Sequence, residues 1–283
     1  MVTNALRRAL VGEVRALFND QAKGEKPVPR AEDPFIASGS VAARVHGDVT
    51  TMMVGGVAAL LLQMLHPGAL GGVWDHSDFR RDMRGRLRRT ARFIAITTYG
   101  SKPAALAAIA HVRGIHAKVG GVQPDGTPYR ADDPRLLAWV HVAGSLCFLD
   151  AWRRFGGPLT IAEQDAYFAD VAPVAEALGA DPVPRTRRAA EALLTSFRPE
   201  LHVDHRVREV ARLVLQQRGE TLRDVPAQTV QGLIGRAAVD LLPGWARTMH
   251  GLSGSGLARP AVDALTLGVA GTLRWAFAAP ARA

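Results

Sequence analysis

The sequence predicts an all-α fold made of one helical domain, on three observations. Alanine, leucine and arginine dominate the composition, whereas there are only three Tyr and nine Phe, and this mixture favours helices over strands. Apolar residues recur at helical spacing in one segment after another. No segment alternates convincingly as a strand, and there is no internal repeat, low-complexity run or domain-scale linker. At 283 residues, 48% apolar and 22% charged, the chain is long enough to bury a sizeable core. Two parts are expected: residues 1–37, a helix and a proline-rich connector, and residues 38–283, the helical domain.

Taken in order, Ala5, Leu6, Ala9, Leu10, Val14, Leu17 and Phe18 form one stripe of an amphipathic helix from Thr3 to Phe18. The segment from Gly24 to Pro34 reads as an extended connector, and a helix is expected around Ser38 to Arg44. Thr51 to Leu65 reads as a helix packed on nearly all sides, since Thr51 to Trp74 carries no fixed charge. Gly55-Gly56 within it points to a close approach to the backbone, by a neighbouring helix or by a flat ligand. Pro67 ends or kinks this helix, and Gly68, Gly71 and Gly72 predict a pliable stretch, with Asp75 or Ser77 capping the next turn.

A new helix is expected from about Gly85 to Gly100, with arginines crowding its first turns against the helix dipole. Pro103 suits the first turn of another, ended by Gly120-Gly121. On it Ile109, Val112, His116 and Val119 are spaced 3, 4 and 3, so His116 lies in an apolar stripe, while His111 is turned about 140° away. Gly120 to Pro134 reads as a turn-rich loop, then Pro134 to Phe155 as a long, largely apolar helix. Further helices are expected near Thr160–Leu178, Arg185–Ser196, Asp204–Gln217, Pro226–Leu242 and Pro260–Phe277.

The formal net charge of +9 permits nucleic acid, an anionic membrane surface or an acidic ligand as partner. Nucleic acid is the least expected, because the basic residues are not interleaved with aromatics and no helix-turn-helix signature occurs. The single cysteine, Cys147, excludes an internal disulfide and reads as a buried inert thiol. The N-terminal residues lack the apolar core of a signal peptide, and the apolar run Val54 to Leu65 is too short to span a bilayer. A cytoplasmic, soluble protein is expected, with peripheral membrane contact possible and the oligomeric state open.

Four constellations can carry chemistry. His116 is either a hydrogen-bonded core histidine or an axial ligand to haem iron, which needs a neutral imidazole, apolar walls and cations for its propionates. Arg86 and Thr90, four apart on one helix face, can hold a carboxylate or polarise a bound oxygen species; otherwise Thr90 bonds its own helix backbone. His66, Asp75 and His76 have the composition of a 2-His-1-carboxylate metal site, unless His66 bonds a backbone group at the helix end. His202 and His205 could chelate but read as a surface loop. No P-loop, GxGxxG after a strand, HExxH or GxSxG pattern is present.

The succession LLQMLHPGALGGVWDHSDFRRDMRGRLRRT, HVRGIHAKVGG and DDPRLLAWVHVAGSL resembles the oxygenase family that includes bacterial rubber oxygenase (latex-clearing protein) and the membrane-bound oxygenase of mycophenolic acid biosynthesis. The resemblance covers roughly residues 38 to 160 and implies a globin-like helical core that binds haem b. It implies that His116, in the IHxxVxG motif, is the proximal iron ligand, and that Arg86 and Thr90, in RLxxT, are the arginine-threonine pair near the haem. It does not extend to the distal lysine and catalytic glutamate of rubber oxygenase. Lys23, Lys26, Lys102 and Lys118 fit no matching motif, and the stretch from His66 to Asp82 contains no Glu. An open or differently ligated distal site is therefore expected, with His66, Asp75 or His76 near it. The expected function is a haem b-dependent oxygenase acting with O2 on an apolar small molecule, with Arg86 and Thr90 as catalytic residues and His116, Arg86, Thr90, His66 and His76 against the cofactor. The alternative is a non-catalytic haem-binding sensor or carrier.

Overall fold

The computed structural model describes residues 2–20, 23–216 and 225–278. Within them the chain is all-α, as expected: thirteen helices and one two-stranded hairpin. Helix α1 (Val2–Phe18) leads through the extended connector to α2 (Val41–His46), α3 (Val49–Gln63), α4 (Pro67–His76), α5 (Met83–Tyr99) and α6 (Lys102–His116). The antiparallel hairpin β1 (Gly120–Val122) and β2 (Pro128–Arg130) pairs Gly121 with Tyr129. Then come α7 (Pro134–Phe155), α8 (Ile161–Leu178), α9 (Arg187–Ser196), α10 (His205–Leu215), α11 (Val225–Leu241), α12 (Gly244–His250) and α13 (Arg259–Phe277).

The helix boundaries follow local chemistry. Asp48, Asp82, Ser101, Asp133, Thr160 and Thr186 each cap a helix by accepting a backbone N–H with their side chain. Proline stands in the first turn of α4, α6 and α7, where its missing N–H leaves nothing unpaired.

The axis of the molecule is the α3–α7 pair, the most extensive helix contact in the fold. Both helices are buried along most of their length, with Val54, Ala58, Leu61 and Leu62 meeting Trp139, Val142, Ala143 and Leu149 in one core. Gly55 makes the approach possible. A Cβ there would stand 2.8 Å from Phe148 Cδ1 and 3.0 Å from Phe148 Cα. Tight helix packing thus accounts for Gly55, whereas a Cβ on Gly56 would meet only Phe148 Cε1, at 3.8 Å. Cys147 is buried in this interface, which pushes its thiol pKa up. Helix α11 covers α3 on another side.

Three expectations need correction. The glycines after Pro67 do not form a pliable loop; they lie in α4, with Gly68 and Gly71 buried. Gly71 is there because the Tyr129 ring lies where its side chain would be, 2.8 Å from an added Cβ. The turn-rich stretch after α6 contains the β1–β2 hairpin, which packs on α4. Helix α12 is an element that the sequence reading lacks, and the residue at the expected end of α10, Gln217, lies outside the described residues. Among the described residues no single helix is long and apolar enough to cross a membrane, and α3 and α4 are bent by 103° at their junction.

Candidate functional site

Helices α5 and α6 form a hairpin that turns at Gly100-Ser101. Arg86 and Thr90, near the start of α5, and His116, the last residue of α6, therefore lie toward its far end. That end is tied together by α4 and the β-hairpin. The Arg86 guanidinium donates to Ser77 Oγ (3.2 Å), immediately after α4. His76 Nε2 lies 3.0 Å from the carbonyl oxygen of Gly120, four residues past His116. The Tyr129 hydroxyl donates to Asp75 Oδ2 (2.6 Å).

The hairpin packs against α1, α2 and α8 and has no extensive contact with the α3–α7 pair. At the hinge end the gap is bridged by His46 of α2. Its ring meets Thr98 Oγ1 (2.9 Å) on α5 and the Tyr167 hydroxyl (3.2 Å) on α8, and lies edge-on to Phe148 of α7. Toward the other end, inner-face residues stay half-buried. On α6 the inward stripe runs Ala105, Ile109, Val112, His116, with the first two buried and the last two half-buried. On α5 Phe93, Ile94 and Ile96 are half-buried; on the otherwise buried α3 and α7 so are Met53, Gly56, Val57, His141 and Phe148. These apolar side chains are therefore not fully covered by neighbouring helices.

The arginines crowding α5 separate by partner. Arg80 stacks over Trp74 and pairs with Glu209, Arg81 pairs with Asp78, Arg88 with Asp20 and Arg89 with Asp82. Arg84 is exposed. Arg86 differs: it is partly buried, and among the described residues it has no carboxylate partner, only the Ser77 hydroxyl. Burial and the neighbouring Arg89 both lower its pKa. A partly buried cation left this way is costly unless an anion completes it.

Among the described residues three imidazoles have an orphaned buried nitrogen, His116, His141 and His250; the Nε2 of His250 is already held by the Leu61 carbonyl (2.9 Å). His116 Nδ1 is buried without a hydrogen-bond partner. Burial lowers the His116 pKa, an effect that Asp132 partly opposes, so the ring is neutral at pH 7. His141, on α7, is enclosed on nearly all sides, which pushes its pKa down to about 4. Its Nδ1 is 3.5 Å from Ser145 Oγ and its Nε2 has no partner. In the sequence His141 is only one more position on an apolar helix. The signal that could have singled it out is the same as for His116: a ring nitrogen carried into a buried stripe.

The remaining predicted residues are otherwise engaged. His66 caps α4, its Nδ1 accepting from Gly68 N–H (3.1 Å), and its Nε2 lies 3.6 Å from Glu200. The His76 ring is held by Gly120, and the Thr90 hydroxyl donates to the Arg86 carbonyl (3.2 Å), the local backbone bond that a helical threonine commonly makes. His66, Asp75 and His76 do not assemble into a metal site: no group of three or more His, Cys, Asp or Glu suited to a metal ion occurs among the described residues. His202 is exposed, and His205 packs edge-on to Trp74.

The donor set suits haem: a neutral imidazole with an orphaned nitrogen, a partly buried cation lacking its anion and half-buried apolar walls. No curated protein and no solved structure matches the chain. Residues 43–276 match the family model described as ER-bound oxygenase mpaB/B'/Rubber oxygenase, catalytic domain, a span that takes in α3 to α12 and nearly all of α13. On that match the chain belongs to the mpaB and rubber oxygenase family of catalytic domains.

Proposed function

We propose that this protein is a haem b-dependent oxygenase that acts with O2 on an apolar small molecule, its helices forming a globin-like cradle. The observation that carries the reading is the partly buried Arg86 guanidinium, which has no protein carboxylate among the described residues and lies toward the same end of the α5–α6 hairpin as His116. Haem carboxylates would complete it.

His116 would hold the iron through a neutral ring nitrogen, and Arg86 would neutralise a propionate. Thr90, one turn along α5, is exposed and its hydroxyl bonds the Arg86 carbonyl; on haem binding it would turn to the pocket beside that arginine. Bound there, haem supplies the dioxygen chemistry. The chain's own contribution would be the half-buried apolar side chains Phe93, Val112, Met53 and Val57, which would keep water from the haem and receive an apolar substrate. His141, neutral at pH 7 and with Nε2 unpartnered, would offer the α7 wall a hydrogen-bonding nitrogen, while no glutamate between His66 and Asp82 supplies an acid–base group.

The alternative, a haem-binding sensor or carrier, is favoured by that missing glutamate alone. Purified protein supplemented with haem should show a Soret band that His116→Ala abolishes; a wild-type protein without the band, or an unchanged variant, would overturn the haem reading. Oxygen uptake with a panel of unsaturated lipids and terpenoids separates oxygenase from carrier, since a carrier consumes none.

A further inference from the structure

The first and last helices of the chain, α1 and α13, carry a surface that the proposed oxygenase site does not use. Helices α1 and α13 pack side by side, with Arg7 Nε donating to the carbonyl oxygen of Ala276 (2.8 Å). A cleft of about 420 Å³ opens between them, lined by Arg7, Arg8 and Arg15 together with Val11, Asn4 and Phe277, and by no acid. None of these arginines has a carboxylate partner among the described residues. The only acid on α1, Glu13, lies about 140° around the helix from Arg8. The sequence reinforces the asymmetry: there is no Asp or Glu before Glu13 and none after Asp263, which is itself paired with Arg154.

Beside this cleft the outer face of α13 is apolar. Leu265 is 62% exposed and Trp275 41%, and Leu257, just before the helix, is fully exposed. From Pro260 to Trp275 the exposed positions are uncharged except Arg274, whose guanidinium is held by Asp48 (2.6 Å) and Phe155 O. Such a face is unusual on a water-facing helix.

We propose that α1 and α13 form a docking surface for an anionic phospholipid bilayer. Arg8 and Arg15 would meet headgroup phosphates, while Leu265 and Trp275 enter the headgroup–acyl boundary. Charge complementarity selects this occupant: an acid-free arginine cleft beside an uncharged, leucine- and tryptophan-bearing face suits a negatively charged interface with an apolar layer beneath it. A second copy of the same chain would bring its own arginines against these.

The test is sedimentation of the full chain with phosphatidylglycerol/phosphatidylcholine vesicles and with phosphatidylcholine alone. Binding to the anionic vesicles only, weakened by salt, is expected. Arg8→Ala with Arg15→Ala should weaken it about twenty-fivefold, at roughly one fivefold step per arginine. Both side chains lie outside the core, so the circular dichroism spectrum should not change. Leu265→Ser should weaken binding as well, and quenching of fluorescence by brominated lipid should be lost in Trp275→Phe. Equal binding to neutral and anionic vesicles, or none to either, overturns the proposal. So does concentration-dependent dimerisation abolished by Leu265→Ser, which would assign the face to a second copy.

Discussion

Arg86 and His141, like His116, are side chains that a ligand bound between the helices would complete. Arg86 partly buries a full charge against one hydroxyl, and His141 buries a ring nitrogen against nothing. This makes a prediction with opposite signs for stability and binding. Arg86→Leu should leave the haem-free protein as stable as the wild type, or more so by about 1 kcal/mol, because an uncompensated, partly buried cation is removed. The same change should lower haem affinity by at least tenfold in a haem titration. A parallel loss of stability and binding would mean that Arg86 serves the fold and not a ligand. At His141 the expected readout is the carbonyl stretching band of the ferrous carbon monoxide adduct, which should move in His141→Leu and partly return in His141→Gln; a band that stays in place rules out contact with the bound gas.

At the scale of elements, the neighbouring glycines of α3 serve different purposes. A side chain at Gly55 would press on Phe148 Cα and the Cys147 carbonyl, main-chain atoms that cannot move aside. Gly55→Ala should therefore cost about 1–3 kcal/mol in urea denaturation. A Cβ on Gly56 would make only an ordinary 3.8 Å contact with Phe148 Cε1, and Gly56→Ala should be neutral or stabilising by up to about 1 kcal/mol from helix propensity. Gly56→Leu puts a large side chain at the same position and should impair haem uptake while the fold survives. In sequence the adjacent pair Gly55-Gly56 leaves two explanations open, packing and ligand approach, and geometry assigns the first to Gly55. The α4 segment shows the converse limit. Pro67 and the three glycines after it predict irregular backbone, yet the helix forms because Gly71 lets Tyr129 seat against it and His66 and Pro67 start it well.

At the scale of the whole molecule, His46 joins α2, α5, α7 and α8, and its burial pushes its pKa down to about 4. His46 and His141 are thus both neutral in the fold but take up protons at their ordinary value of 6.5 when unfolded. The unfolded state then binds more protons between pH 6.5 and 4. Stability is full above about pH 6.5, falls as the pH drops through this window, and is lost progressively by pH 4, by about 3 kcal/mol at most for each ring. Denaturant midpoints at pH 7.5 and pH 5 should show the loss, and His46→Gln should flatten it. A midpoint independent of pH in that range would contradict the burial of both rings.

Most of the helices could be read directly, since capping residues, prolines and 3.6-residue periodicity are local properties; α7 begins and ends where its sequence says, at Pro134 and Phe155. The three motifs that placed the chain in its oxygenase family are likewise linear. What the chain could not show was which polar groups go unpaired. Six arginines in one short run look alike in sequence, and only their partners, Glu209 and Asp20 among them, and their exposure set the others apart from Arg86. His66 and His76 look as promising as His116 until the helix cap and the Gly120 carbonyl are seen to hold them. Those partners lie up to more than a hundred residues away, and a side chain's worth as a ligand depends on whether the fold has already satisfied it. Most helices and the family are legible in the chain alone, α4 and α12 excepted; tertiary packing sets which nitrogens and charges go unpaired, because satisfaction of a buried polar group is a property of its three-dimensional neighbours and not of its position along the chain.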